Sequence, residues 1–163
     1  NMSFSLSKEL IPEDVQVLWQ SGEYYYPELF LELSHSENQK AFKLYDFIQR
    51  MDMAYAVADL VVSRAGVSSI SELSLLKKPT ILIPSPNVAE DHQTKNAMAL
   101  VDKDAAIMVK DDEAIEKLVQ TAIDTVRDEI LLDELAENIA QFAHPDAANT
   151  IVNELVKIVA KEA

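Results

Sequence analysis

Apolar and polar positions alternate along the chain in short blocks, and each block has the period of one type of secondary structure. Runs rich in valine, isoleucine and leucine predict strands at 15–20, 41–48, 59–63, 80–83 and 105–109. Apolar residues at helical spacing predict helices at 24–33, 51–58, 69–77, 91–101, 112–127, 129–142 and 146–161. Strands and helices alternate until the last three helices follow one another, an order typical of an α/β protein.

Two of the predicted strands are almost continuously apolar. Residues 60–62 read Leu-Val-Val, and residues 81–83 read Ile-Leu-Ile. Such runs indicate strands that are buried on both faces of a parallel sheet, with helices packed on each side. We therefore expect a doubly wound α/β fold with extra C-terminal helices. The length of 163 residues and the absence of internal repeats favour a single domain over 1–163.

Charge and composition exclude several classes of function. The chain has 14 Lys and Arg residues against 28 Asp and Glu residues, a net charge of −14, which disfavours nucleic acid and anionic lipid as partners of the whole surface. It contains no cysteine, so disulfides, thiolate metal sites and thiol catalysis are excluded, in agreement with a cytoplasmic protein. No apolar run reaches the length of about 20 residues that a membrane-spanning helix needs.

Metal binding is not expected either. The three histidines, His35, His92 and His144, lack the spacing of metal ligands. Asp102 and Asp104 form an Asp-x-Asp sequence, but they precede the strand predicted at 105–109 and so belong at its amino end. Ligands of such sheets bind at the opposite edge, beyond the carboxyl ends of the strands.

The most informative chemistry surrounds Gly66, one of only two glycines in the chain. The strand predicted at 59–63 leads through Arg64 and Gly66 into the start of a helix that carries Ser68 and Ser69. The first turn of a helix has free N–H groups and the positive end of the helix dipole, so this junction is a candidate phosphate site.

The same residues also have purely structural interpretations. Ser69 and Glu72 have the spacing of a capping box, in which the serine begins a helix and the glutamate bonds back to it. Arg64 fits an ordinary salt bridge near a helix end, and His92 and Gln93 fit a polar helix start capped by Asp91. The apolar residues of the last helix are interpreted as core or as a domain-docking surface: Ile151, Leu155, Ile158 and Val159.

An ordered series of motifs resembles a known family. The series runs Phe47-Ile48, Met51-x-x-Ala54-Tyr55-x-x-Ala58-Asp59, Arg64-Ala-Gly66, Ser71-Glu72, Pro79 to Pro84, Glu90-Asp91-His92-Gln93 and Asn96-Ala97. It resembles the C-terminal half of the MurG family of glycosyltransferases, from about residue 15 to the C-terminus. The family transfers N-acetylglucosamine from UDP-GlcNAc to lipid I, making lipid II for peptidoglycan. Its members have the GT-B architecture of two Rossmann-like domains, and this chain resembles the donor-binding one.

The resemblance implies a role for individual residues. By this resemblance, the backbone of Ile48 recognises the uracil, and Arg64 lies beside the nucleotide. Gly66 and the amides of Val67, Ser68 and Ser69 receive the diphosphate. Glu72 binds the ribose hydroxyls, His92 and Gln93 hold the sugar, and Asn96 supports them.

The resemblance also implies what lies outside this sequence. The family places the general base and the lipid I acceptor site in an N-terminal domain, so no catalytic residue is expected in this chain, which should be inactive alone. No cofactor or protein-bound metal is implied. The full-length protein is expected in the cytoplasm, peripheral on the cytoplasmic face of the inner membrane, with no membrane contact by this half itself.

One departure from the family and three alternatives accompany this interpretation. The family's donor domain opens with a strand and a glycine-rich loop that do not precede residue 15, so we expect weak or undetectable UDP-GlcNAc binding by the chain alone. The alternatives are the soluble donor-binding subunit of a two-part glycosyltransferase, half of a UDP-sugar 2-epimerase, and a non-catalytic nucleotide-binding domain.

Overall fold

The described part of the chain contains five short strands and seven α-helices, which alternate until the last three helices follow one another. The structure is a computed structural model that describes residues 11–86 and 91–161. The strands are β1 Val17–Gln20, β2 Phe42–Tyr45, β3 Val61–Ser63, β4 Thr80–Leu82 and β5 Ile107–Met108. The helices are α1 Tyr26–Ser34, α2 Met51–Val57, α3 Val67–Leu75, α4 His92–Val101, α5 Ala114–Val126, α6 Glu129–Ile139 and α7 Ala147–Lys161. Two 3-10 turns lie at Glu37–Lys40 and Ala140–Phe142.

The predicted order of elements is confirmed, and the strands are shorter than the apolar runs that predicted them. All strand pairs are parallel, and they form two ladders among the described residues, β1-β2 and β3-β4-β5. Val17 pairs with Phe42 in the first ladder, and Val61 pairs with Thr80 in the second. Parallel pairing places the carboxyl ends of the strands in each ladder at one edge, where the loops that carry the candidate site begin.

Strand β4 is buried on both faces, as its continuous apolar sequence predicts. Leu82 belongs to a core that contains Leu73 from α3 and Leu100 from α4. Ile81 and Ile83 point the other way and pack with α5 in a second core. Helices therefore cover both faces of this ladder, which confirms the doubly wound α/β class.

The β1-β2 ladder has a separate, smaller core. Phe42 and Leu33 are buried there, and Val17 and Trp19 pack against them from alternate positions of β1. Leu18 points to the opposite face of β1 and is 44% exposed. An ion pair of 2.7 Å between Asp14 and Arg127 connects this part of the chain to the end of α5. Because both side chains are largely exposed, this contact contributes little to stability.

Helix α7 is amphipathic, yet its apolar side chains remain exposed to solvent. The residues predicted as core or docking surface, Ile151, Leu155, Ile158 and Val159, are 56–67% exposed. The core interpretation is therefore wrong within the described chain, since too little of the chain packs against α7. The docking interpretation stays a prediction. Among the described residues, no helix combines the length and apolar character needed to cross a membrane.

The packing of α3 offers a direct test of the fold, because two leucines on this helix differ in burial. Leu73 is fully buried in the core that contains Leu82 and Leu100, whereas Leu75 is 48% exposed. We expect Leu73→Ala to lower the free energy of unfolding by about 2–5 kcal/mol, through lost burial and a cavity. Leu75→Ala is the control and should cost less than about 1 kcal/mol. Urea denaturation measures both, and equal losses would contradict the assigned orientation of α3.

Candidate functional site

The predicted site residues follow the carboxyl ends of the strands, as expected for a sheet of this class. Ile48 follows β2, and Arg64 and Gly66 follow β3. Gln93 and Asn96 lie on α4, which follows β4. The site is therefore built from loops and helix starts at one edge of the parallel strands, where α/β proteins bind ligands.

The turn at Gly66 leads directly into α3. Gly66 is the N-cap with extended backbone angles, and its carbonyl accepts the first helical hydrogen bond from the Ile70 amide at 3.0 Å. The amides of Val67, Ser68 and Ser69 have no acceptor within the described chain. Three N–H groups without acceptors in the described chain and the positive end of the α3 dipole could hold an anion, and the diphosphate role of these amides stays a prediction. The helix begins two residues earlier than the predicted 69.

No neighbouring atom of the described residues requires a glycine at this turn. Its φ of −73° is accessible to any residue. Within the described part of the chain, and beyond the neighbours of Gly66 in sequence, a Cβ there would meet only the Ser69 Oγ within 4 Å, at an ordinary 3.9 Å. The glycine therefore keeps open a space in front of the α3 amides that the described protein does not fill.

The side chain of Arg64 extends along the carboxyl edge of the β3-β4-β5 ladder. Its Nη1 donates to the carbonyl oxygens of Ile83 and Pro84, at 3.3 Å each, and lies 2.5 Å from Asp111 Oδ1. The two charged side chains are 28% and 27% exposed. Asp111 offsets much of the positive charge of Arg64, which leaves the amides of α3 as the main positive feature of the turn. The salt-bridge interpretation of Arg64 is thus confirmed, and a contact with a ligand would use its remaining N–H groups.

Two polar residues of α4 fix the surrounding loops. Asn96 Nδ2 donates to the Ala65 carbonyl at 3.1 Å, which secures the turn between Arg64 and Gly66. Gln93 Oε1 accepts from the Ser85 amide at 2.9 Å and so fixes the loop after β4. The supporting role of Asn96 at a ligand stays a prediction, and Gln93 keeps its amide N–H groups for other partners.

The start of α4 differs from the capped helix start that the sequence suggests. Asp91 is the N-cap but has a left-handed backbone with φ 55°, and its side chain makes no capping hydrogen bond. The capping interpretation of Asp91 is therefore wrong, because its carboxylate accepts no hydrogen bond from the first turn of α4. His92 is exposed at the first turn of α4. Glu90, which belongs to the same motif, lies outside the described residues.

Ile48 is held by a residue that the sequence did not single out. The Ile48 amide donates to Gln20 Oε1 at 2.8 Å, which connects the end of β1 to the loop after β2. The Ile48 carbonyl has no donor within the described chain. Gln20 was visible in the sequence as the last residue of a strand, but its partner is 28 positions away.

Glu72 lies one turn into α3, on the side of the helix that follows Ser68 and Ser69. The capping-box interpretation is wrong, because α3 begins at Val67 and Ser69 already lies within its first turn. Instead, Glu72 Oε2 accepts a hydrogen bond of 3.3 Å from the hydroxyl of Tyr55 on α2. The other oxygen of this exposed carboxylate, Oε1, has no hydrogen-bond partner in the described chain. Tyr55, like Asp111, was missed as a site residue.

Other features of the described chain lie away from this edge. No group of three or more potential metal ligands occurs among the described residues. Asp104 lies at the amino end of β5, and its carbonyl accepts from Asn138 at 3.1 Å, a structural contact. A surface cavity of about 310 Å³ lies between α1 and β2, lined by Phe30, Leu33, Phe42 and Tyr45 among others, and it contains none of the predicted site residues.

Comparison with known proteins places the chain in a family. The profile of the glycosyltransferase family 28 C-terminal domain matches residues 3–151. The chain belongs to this family. Its similarity to named transferases confirms the resemblance stated from the motifs.

Two curated relatives illustrate the similarity. The UDP-N-acetylglucosamine–N-acetylmuramyl-(pentapeptide) pyrophosphoryl-undecaprenol N-acetylglucosamine transferase of Bacteroides thetaiotaomicron is 54% identical over 149 residues, covering 91% of this chain and 40% of that protein. The transferase of the same name from Cytophaga hutchinsonii is 52% identical, with 89% and 38% covered. The chain thus spans about 40% of the length of these relatives.

Solved structures support the fold. The crystal structure of Acinetobacter baumannii MurG superposes with a TM-score of 0.75 at 26% identity, covering 87% of this chain and 43% of that one. A solution structure of ALG13 has a TM-score of 0.52 at 20% identity, covering 71% of this chain and 69% of that one. At this identity, ALG13 shows the fold alone.

The contact between Tyr55 and Glu72 makes a testable prediction about ionisation. Partial burial is the largest cause that raises the pKa of Tyr55 above its ordinary value near 10.0, and the negative charge and hydrogen bond of Glu72 raise it further. Removing the charge with Glu72→Gln should lower the pKa of Tyr55 but leave it above the ordinary value, because burial persists. Absorbance titration of phenolate, with Tyr55→Phe to identify the signal, measures it. An unchanged pKa in Glu72→Gln would contradict the contact.

Proposed function

We propose that the chain is the UDP-GlcNAc-binding half of an inverting N-acetylglucosaminyltransferase that converts lipid I to lipid II in peptidoglycan synthesis. The observation that carries the proposal is the row of three unpaired amides at the start of α3, at the carboxyl edge of a parallel sheet, with Glu72 one turn further along. The names of the curated relatives support a transferase over an epimerase or a sensing domain.

The diphosphate binds at the start of α3. Cleavage of the bond between the sugar and the diphosphate leaves growing negative charge on UDP, so fixed N–H groups aimed at that charge lower the barrier. Val67, Ser68 and Ser69 provide these groups, and the missing side chain at Gly66 lets the phosphate oxygens approach them. Arg64 adds a positive charge beside the leaving group, and its ion pair with Asp111 partly offsets that charge.

The uridine lies on the side of Ile48 and Glu72. The Ile48 amide is occupied by Gln20, so the free Ile48 carbonyl accepts the hydrogen bond from uracil N3–H. Glu72 accepts hydrogen bonds from the ribose 2′ and 3′ hydroxyls with its free oxygen and its remaining lone pairs. His92 and Gln93 hold the hydroxyls of the sugar, where Gln93 acts as a donor because its oxygen is engaged by Ser85.

Transfer requires the rest of the protein. The acceptor hydroxyl attacks C1 of the sugar with inversion, and a general base removes its proton. That base and the lipid I site belong to the N-terminal half, so this chain supplies donor binding without a catalytic residue of its own. No metal takes part in our proposal, and no nucleic acid is a partner. The complete protein works in the cytoplasm, at the cytoplasmic face of the inner membrane.

A single substitution separates this proposal from a structural interpretation of the Gly66 turn. The native polypeptide that carries this sequence should transfer N-acetylglucosamine from UDP-GlcNAc to lipid I. Gly66→Ala should lower its affinity for UDP at least about tenfold, because the added methyl group stands between the phosphate and the α3 amides. The free energy of unfolding should change by less than about 1 kcal/mol, since the protein itself has room for the Cβ.

Calorimetric titration with UDP, thermal unfolding and product analysis together measure these effects. Unchanged UDP affinity in Gly66→Ala would place the diphosphate elsewhere. Absence of transfer by the unsubstituted native polypeptide would refute the proposed reaction.

A further inference from the structure

The carboxylate of Glu72 has a partner to which neither the motifs nor the proposed function assign a role. Tyr55 lies on α2, 17 residues earlier in the chain, and its hydroxyl donates to Glu72 Oε2 at 3.3 Å. Two helices that follow different strands therefore meet at the one carboxylate that our proposal places on the ribose.

The two side chains differ in freedom. The ring of Tyr55 is half-buried and packs against the core that contains Leu73 and Leu82, so its hydroxyl is held in one place. Glu72 is exposed, and its carboxylate makes no other hydrogen bond in the described chain. An exposed glutamate loses rotamer entropy when a ligand fixes it, and a contact that fixes it beforehand reduces that loss.

The chemistry of the contact leaves Glu72 able to bind a diol. A carboxylate has two oxygens with about four acceptor positions. Tyr55 occupies one position on Oε2, so Oε1 and the other lone pair of Oε2 remain for two neighbouring hydroxyls. The pKa of Tyr55 is raised by its burial and by Glu72, so the hydroxyl stays protonated and remains a donor at neutral pH.

We propose that Tyr55 is a positioning residue that holds Glu72 for two-point recognition of a ribose, and so sets the preference for ribonucleotides over 2′-deoxyribonucleotides. This inference rests on the proposed function, because it assigns Tyr55 a task only if Glu72 binds the nucleoside diphosphate. Tyr55 touches no reacting atom and acts through Glu72.

The experiment measures the affinities of UDP and 2′-deoxy-UDP for the native polypeptide and its Tyr55→Phe variant. The unsubstituted protein should prefer UDP by about tenfold or more. The reason is that 2′-deoxy-UDP lacks one ribose hydroxyl and so leaves one acceptor position of the Glu72 carboxylate without a hydrogen bond. Tyr55→Phe should reduce this ratio by about threefold to tenfold, mainly by weakening UDP binding. Phenylalanine retains the ring that packs on the core, so the melting temperature should change little.

A double-mutant cycle and a matched control sharpen the test. Glu72→Gln alone should also reduce the preference for UDP, and adding Tyr55→Phe to it should then change the ratio little, because the two residues act as one unit. Tyr45→Phe removes a tyrosine hydroxyl beside the cavity between α1 and β2, away from Glu72, and should leave both affinities unchanged.

The outcomes separate this inference from the function on which it rests. If the unsubstituted protein prefers UDP and Tyr55→Phe keeps the same ratio, Tyr55 does not position Glu72, although the proposed function stands. Equal weakening of both nucleotides, with a lowered melting temperature, would mean a purely structural role and would also overturn the inference. If the unsubstituted protein binds neither nucleotide, the proposed function and the inference both fail.

Discussion

The start of α3 at Val67 is the constraint on which the rest of the site depends. A parallel strand ends at Ser63 and the chain turns at Gly66, so the first turn of the next helix faces the carboxyl edge of the sheet. Three amides of this turn have no acceptor among the residues that the structure describes. Asn96 fixes the turn through the Ala65 carbonyl. In a chain of net charge −14, these oriented backbone dipoles supply a local positive potential that does not depend on side-chain cations.

The division of the backbone ladders also divides the site. Gln20 ends β1 and Ile48 follows β2, whereas Gly66 follows β3 and Glu72 lies on α3, the helix after β3. Helix α2 follows Ile48 in sequence and contacts Glu72 through Tyr55, so it physically connects the two groups. A nucleotide bound across the two groups would meet the segment after β2 with its base and the helix after β3 with its ribose and diphosphate.

Local sequence predicted those features that depend on neighbours along the chain. The apolar blocks predicted the alternating elements, and Gly66 predicted the turn into a helix. Two capping predictions from short sequence patterns were wrong. Gly66 is the N-cap of α3, so Ser69 lies too far into the helix to form a capping box with Glu72. Asp91 has a left-handed backbone, and its side chain makes no capping hydrogen bond. Several contacts at the site join residues far apart in the sequence, such as Tyr55 with Glu72, 17 positions apart, and Arg64 with Asp111, 47 positions apart. These pairs arise only when the sheet brings distant loops together, and no local pattern encodes them.

A crystal structure of the native polypeptide with bound UDP tests the central claim most directly. The account predicts diphosphate oxygens within about 2.7–3.2 Å of the amide nitrogens of Val67, Ser68 and Ser69, the normal range for N–H···O hydrogen bonds. A diphosphate bound elsewhere, with those three amides still unoccupied, would contradict it.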